Sequence, residues 1–317
     1  MSAVFAITFP FFALVLCGYL AARRGVLAAA AIPGLNGFVL YFALPCMLYR
    51  FGAQTPLAQL LDARIFCVYL ACALVMVAVA ISATRRGRIG WTDAAFGALV
   101  AAFPNTGFMG VPLLSALLGA AAAGPVIQTI AIDMLATTSL CIALSRLDGA
   151  GTHGAAVAVR HALRGMASNP MPWSILLGVL ASATGMALPG PLEKTVALLA
   201  EAASPVALFT IGAVLARSQM GVEAPVPWRD YVPLALAKLL LHPLLVLAGL
   251  RLAALAGFAL DPAAATALVL VAALPSASNV ALLAERFGAH NGRIARIILV
   301  STALAFLTFS GAVALLL

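Results

Sequence analysis

Charge is what this chain has least of. Only 10 of its 317 residues are Asp or Glu, and charged residues of all kinds make up 9% of it, against about 25% in a soluble domain. So few carboxylates leave little for acid–base or metal-assisted chemistry. His-Glu-x-x-His, Gly-x-Ser-x-Gly and P-loop patterns are missing, as is a paired acidic motif that could hold magnesium. No enzyme and no cofactor are therefore expected, nor a pump with its nucleotide site in this chain. Cys-x-x-Cys pairs are missing too. Cys17, Cys46, Cys67, Cys72 and Cys141 all lie in apolar stretches, as small buried hydrophobes and not as disulfide partners or metal ligands. The first 22 residues lack the basic start of a secretory signal, and Arg23 and Arg24 follow the apolar run, so it reads as a retained first helix.

Hydrophobic residues supply what charge does not. They make up 64% of the chain, where about 45–50% is usual, and they fall in runs near the ~20 residues a bilayer core requires. The expected fold is an all-α polytopic membrane protein with ten spans: 4–22, 33–51, 65–84, 93–118, 125–146, 169–188, 198–217, 231–256, 262–286 and 294–316. Charge sidedness supports that count. Turns after odd-numbered spans hold Arg23, Arg24, Arg85, Arg86, Arg88, Arg146, Arg160, Arg164, Arg217, Arg229, Arg286, Arg293 and Arg296, against Arg50, Arg64, Lys194 and Arg251 on the other side. The positive-inside rule then places the odd turns in the cytoplasm and both termini outside. Dispersed in short turns, the net charge of +8 points to membrane topology and not to nucleic acid.

Five spans precede the longest basic turn, so the second half enters the membrane inverted. An offset of 160 maps Pro10, Gly18, Gly25 and Pro45 onto Pro170, Gly178, Gly185 and Pro205. Pro104 maps onto Pro275 at an offset of 171, which implies one insertion of about eleven residues. The expected organisation is a first five-helix repeat over 1–148, a cytoplasmic linker over 149–168 and a second repeat over 169–317. Arg160 and Arg164 share a face of that solvated linker.

Two spans carry residues that hydrocarbon tolerates poorly. The fourth reads Phe103-Pro104-Asn105-Thr106-Gly107-Phe108-Met109-Gly110-Val111-Pro112, and the ninth holds Leu274-Pro275-Ser276-Ala277-Ser278-Asn279. Proline removes a backbone donor and breaks the helix. Broken backbone at membrane depth persists only inside protein or beside a water-filled cavity. Paired breaks in two halves of a membrane protein point to a transporter's site. The breaks at Pro104 and Pro275 are expected to cross. Asn105, Thr106, Gly107, Ser276, Ser278 and Asn279 then offer donors, acceptors and close approach to a small anion near half-helix ends.

Asp133 and Lys238 each lie about eight residues, or roughly 12 Å, into their spans, close to the midplane of a core about 30 Å thick. Buried charges there are functional or internally paired. Asp133 can take up a proton or orient Asn105, and Lys238 can neutralise Asp133 or attract an anion. His242, one turn beyond Lys238, reads as a packed neutral histidine.

The run Phe103 to Leu114 resembles the fourth-helix signature of the auxin efflux carrier family, and Pro275-Ser276-Ala277-Ser278-Asn279, continuing through Ala284-Glu285-Arg286-Phe287-Gly288, is similar to its ninth-helix counterpart. Asn169-Pro170 and Pro205 to Gly212 resemble the family as well. That resemblance implies ten helices in two inverted five-helix repeats, with broken helices 4 and 9 crossing at the substrate site. It also implies a scaffold of helices 1, 2, 6 and 7, with a transport domain of helices 3–5 and 8–10 moving as an elevator. Asn105 and Asn279 would bind a substrate carboxylate. Plant members move auxin and bacterial members are associated with malonate, malate and similar acids. Without the long loop of many plant members, this chain fits a bacterial carboxylate carrier of the cytoplasmic membrane. The expected partners are a small organic anion, the bilayer, protons ahead of sodium as coupling ion, and a second copy as a compatible homodimer. The alternatives are sodium-coupled carriage of a bulkier amphipathic acid and a non-transporting sensor or structural subunit.

Overall fold

A computed structural model describes residues 2–54, 62–85, 89–119, 122–149, 170–220 and 226–317. The structure is all-helical, with no β-strand among the described residues. The elements are α1 Ser2–Arg23, α2 Ala29–Gln54, α3 Ala63–Arg85, α4 Trp91–Ala102, α5 Val111–Leu118, α6 Ala123–Ser145, α7 Pro170–Thr184, α8 Gly190–Met220, α9 Trp228–Leu255, α10 Pro262–Ala273, α11 Asn279–Arg286 and α12 Asn291–Leu316. Among the described residues, six helices are long and apolar enough to cross a membrane: α2, α3, α6, α8 as far as Arg217, α9 and α12. The expected fourth span is divided into α4 and α5, and the ninth into α10 and α11. The seventh starts earlier than its pattern suggested: α8 begins at Gly190 and continues through Pro205, because one lost donor bends a long helix without ending it. Beyond Gly149 the expected linker, with Arg160 and Arg164, lies outside the described residues, as do Arg86 and Arg88.

Chain contacts divide the molecule into two compact units. The first comprises Met1–Asp62, Gly107–Gln128 and Asn169–Val222. It is built on two close helix crossings. At one, Gly18 of α1 lies against the Phe209 carbonyl of α8, and Gly212 of α8 against the Val15 carbonyl of α1. At the other, Gly52 of α2 faces Ile175 of α7 and Gly178 of α7 faces the Tyr49 carbonyl. Without lipid-excluding driving forces between helices, small residues that let backbones approach are what hold such pairs. Ala22, Ile32, Ala213 and Ala216 form a cluster beside the first crossing.

The second unit comprises Ala63–Thr106, Thr129–Ser168 and Glu223–Leu317. The sequence-based assignment gave all of spans four and five to the moving part; by contacts Gly107–Gln128 groups with the first unit. Two helices form the centre of the second unit. Every residue of α4 from Ala94 to Ala102 is buried, as is every residue of α10 from Ala267 to Ala273; an all-apolar helix belongs inside. Pro262 at its first turn and Asp261, whose carboxylate accepts from the amides of Ala263 and Ala264, fix where α10 starts.

One end of this unit is tied together by Arg293. The sequence counted it among the topology-setting charges, yet it is only 4% exposed. Its Nε donates to the Asp230 carbonyl and its Nη1 to the Asp93 carbonyl, both at 2.8 Å. The His290 amide donates to Asp93 Oδ1 at 2.7 Å. The starts of α4, α9 and α12 are thereby joined.

Candidate functional site

The second unit holds both proline breaks. The residue before a proline is driven out of the helical region, and Phe103 (φ −98°, ψ 104°) and Leu274 (φ −62°, ψ 155°) are accordingly extended. The two extended segments run antiparallel, with Pro104 opposite Ser276. The Asn105 amide donates to the Pro275 carbonyl at 2.8 Å, and the Ala277 amide to the Phe103 carbonyl at 2.9 Å. The Ser276 amide donates to Ser301 Oγ at 3.2 Å, and the Thr106 amide to the Pro104 carbonyl at 2.8 Å. Backbone groups released by the prolines therefore find protein partners, as apolar surroundings demand.

The side chains at the crossing are less occupied. Asn105 is 4% exposed and its amide has no hydrogen bond among the described residues. Ser276 is fully buried and its hydroxyl has no hydrogen-bond partner among the described residues. Thr106 is buried, and its hydroxyl reaches only the Pro104 carbonyl, at 3.5 Å. Ser278 and Asn279 are half-buried, and Asn279 opens α11. Amide and hydroxyl groups with spare capacity, beside the amino end of α11, are suited to a carboxylate. Gly107, half-buried in the wide turn Thr106–Gly110, begins the segment that groups with the first unit.

Asp133 and Lys238 are both fully buried in the second unit. Tyr69 of α3 donates its hydroxyl to Asp133 Oδ2 at 2.8 Å, and Thr137 donates to Oδ1 at 3.1 Å. Lys238 Nζ donates to the Ala272 carbonyl in the last turn of α10 at 2.6 Å and lies 3.1 Å from His242 Nδ1. With Lys238 as an ammonium, which only donates, Nδ1 accepts and the imidazole proton is on Nε2, an atom buried with no hydrogen-bond partner among the described residues. The Tyr69 and His242 rings lie 6.2 Å apart. The two charges thus take separate partners within one buried cluster. Each lies in a widened turn, Asp133–Thr137 and Ala237–Leu241, a feature that concentrates at functional sites.

Sequence reasoning did not single out Tyr69, Thr137 or the Ala272 carbonyl. Thr137 was within reach, one turn from Asp133 on the same face. Tyr69 was not, because a tyrosine in an apolar helix carries no mark of its partner.

A family model described as "Membrane transport protein" matches residues 3–313. Over 98% of its length the chain is 31% identical to a "Putative malonate transporter" of Rhizobium meliloti (strain 1021), covering 95% of that protein. It is 28% identical to the "Uncharacterized transporter YfdV" of Escherichia coli (strain K12), over 89% of this chain and 87% of that one. With the "Auxin efflux carrier component 8" of Arabidopsis thaliana it shares 26% identity over 46% of this chain and 42% of the other.

Proposed function

Because this chain belongs to the membrane transport protein family, which includes the auxin efflux carriers, and is a multi-pass membrane transporter, we propose that it carries a small malonate-like carboxylate across the bacterial cytoplasmic membrane. The observation behind this is the pairing of Phe103–Asn105 with Pro275–Ala277, which satisfies the backbone and leaves the Asn105 side chain and the buried Ser276 hydroxyl without hydrogen-bond partners among the described residues. Such groups, beside a half-helix amino end, suit an organic anion. Asn105, Thr106, Ser276, Ser278 and Asn279 form the binding surface, Pro104 and Pro275 mark the crossover, and Gly107 permits close approach.

The architecture proposed around this site is two inverted five-helix repeats making ten spans, with both termini outside. The glycine crossings support it. The 160-residue offset carries Gly18 onto Gly178 and Gly52 onto Gly212, so the α1/α8 and α7/α2 crossings correspond to each other. The crossover lies wholly in the second unit, which supports elevator transport by a site-bearing body of helices 3–5 and 8–10, past a scaffold of helices 1, 2, 6 and 7. Asp133 and Lys238 balance each other inside that body.

Thermal stability of the purified protein against a panel of carboxylates tests the site. Selective stabilisation by malonate or a close analogue, lost in Asn105→Ala, is the expected result. A response that persists in Asn105→Ala places the site elsewhere.

A further inference from the structure

The balance of charge around the crossover, taken with the carboxylate reading on which this rests, narrows the ionic form of the substrate. We infer that the site takes its substrate as a monoanion, so that a dicarboxylate such as malonate binds with one carboxyl protonated and any accompanying proton rides on the substrate.

Four observations lead there. First, the polar side chains at the crossover are neutral: the carboxamides of Asn105 and Asn279 and the hydroxyls of Ser276 and Ser278, that of Ser276 buried with no partner among the described residues, beside the partial positive charge at the start of α11.

Second, the buried cations of this unit are committed. Among the described residues these are Lys238 and Arg293, with His242 as a further nitrogen base. Arg293 Nε and Nη1 hold the Asp230 and Asp93 carbonyls. Lys238 holds the Ala272 carbonyl and His242 Nδ1, and Asp133 offsets its charge. Among the described side chains no arginine hydrogen-bonds at the crossover, although a doubly charged acid is commonly held by an arginine fork.

Third, the acceptor oxygens of Asp133 are occupied within the buried cluster: each accepts from a hydroxyl, Tyr69 on Oδ2 and Thr137 on Oδ1. The other titratable groups around it are Cys72 of α3, Cys141 of α6, and Lys238 and His242 of α9. α10 contributes none, and the one acid of α4, Asp93, is held at the far end by the His290 amide.

Fourth, the crossover amides supply acceptors as well as donors. A monoanionic diacid uses both, since its carboxylate accepts while its protonated carboxyl donates to an amide oxygen. A dianion would bring a second charge among neutral groups, with no counter-ion at the crossover among the described residues.

Binding of malonate and of its monomethyl ester to purified protein, at about pH 5.5 and about pH 7.5, separates proton on substrate from proton on protein. The ester is a monoanion throughout. Its affinity is expected to hold constant, while malonate, counted as total acid, weakens by roughly tenfold per pH unit once its second carboxyl ionises. Equal malonate binding at both pH values overturns the inference, because the dianion is then accepted. Parallel weakening of both ligands also overturns it and moves the proton to the protein. If neither ligand binds, or both bind Asn105→Ala unchanged, the carboxylate site itself is refuted.

Discussion

A methyl group added at Gly18 tests the packing of the first unit most directly. Its Cβ would stand 1.8 Å from the Phe209 carbonyl oxygen, whereas ordinary contact begins at 3.4 Å. The obstacle is backbone in the middle of α8 and cannot rotate aside, so α1 and α8 must separate by about 1.6 Å. Overpacking that side chains can absorb costs about 1–3 kcal/mol, so Gly18→Ala is expected above about 3 kcal/mol. Gly212→Ala, 1.8 Å from the Val15 carbonyl, should match it, and the double variant should cost less than the sum because one separation relieves both clashes. Gly178→Ala, at 2.2 Å, and Gly52→Ala, at 2.8 Å, should fall progressively lower. Gly34→Ala in α2, with nothing within 4 Å, should be neutral or gain up to about 1 kcal/mol from helix propensity. Thermal unfolding of detergent-purified variants gives the ranking. If Gly18→Ala melts with Gly34→Ala, α1 and α8 do not cross there.

Other consequences concern the second unit. Asp133→Asn and Lys238→Met should each destabilise by about 3–5 kcal/mol by stranding a buried charge, and the double variant should recover part of the loss; strictly additive melting shifts would argue against charge balance. Tyr69→Phe leaves Asp133 Oδ2 without its donor and should cost about 1.5–3 kcal/mol in unfolding free energy, a figure that an unchanged melting temperature would contradict. Arg293→Lys keeps the charge but loses the fork joining the Asp230 and Asp93 carbonyls. It should cost about 1–3 kcal/mol and speed amide exchange at the starts of α4, α9 and α12; unaltered exchange there would refute the tie.

The breaks were legible because proline acts locally. Phe103 and Leu274 are extended for a reason contained in the dipeptides Phe103-Pro104 and Leu274-Pro275. Apolar run length likewise exposed the long helices, since bilayer thickness sets it. What stayed hidden depends on two distant segments at once. Pairing of the Asn105 amide with the Pro275 carbonyl requires a register that neither motif states. Arg293 looked like an ordinary cytoplasmic charge, and only the meeting of three helix starts makes it a buried tie. The correspondence of Gly52 with Gly212 lay within the same 160-residue offset that matched Gly18 with Gly178, but a glycine in an Ala-rich chain gains meaning only when a carbonyl is found against it.

Commitment sorts the polar groups of this protein by role. In a bilayer an unpaired backbone group costs several kcal/mol, so the prolines could persist only if the released amides found partners. They did: the Asn105 and Ala277 amides pair across the crossover, and the Ser276 and Thr106 amides are taken by Ser301 and Pro104. Backbone therefore satisfies backbone, and the Asn105 and Ser276 side chains are not needed to hold the break together. The opposite holds for the charges. Both Asp133 oxygens are occupied by hydroxyls, and Lys238 is bound to a carbonyl and an imidazole. Groups spent on structure cannot also receive a ligand, so the proposed carboxylate site draws on the neutral side chains left over at the crossing, where no fixed charge has to be desolvated when a ligand enters.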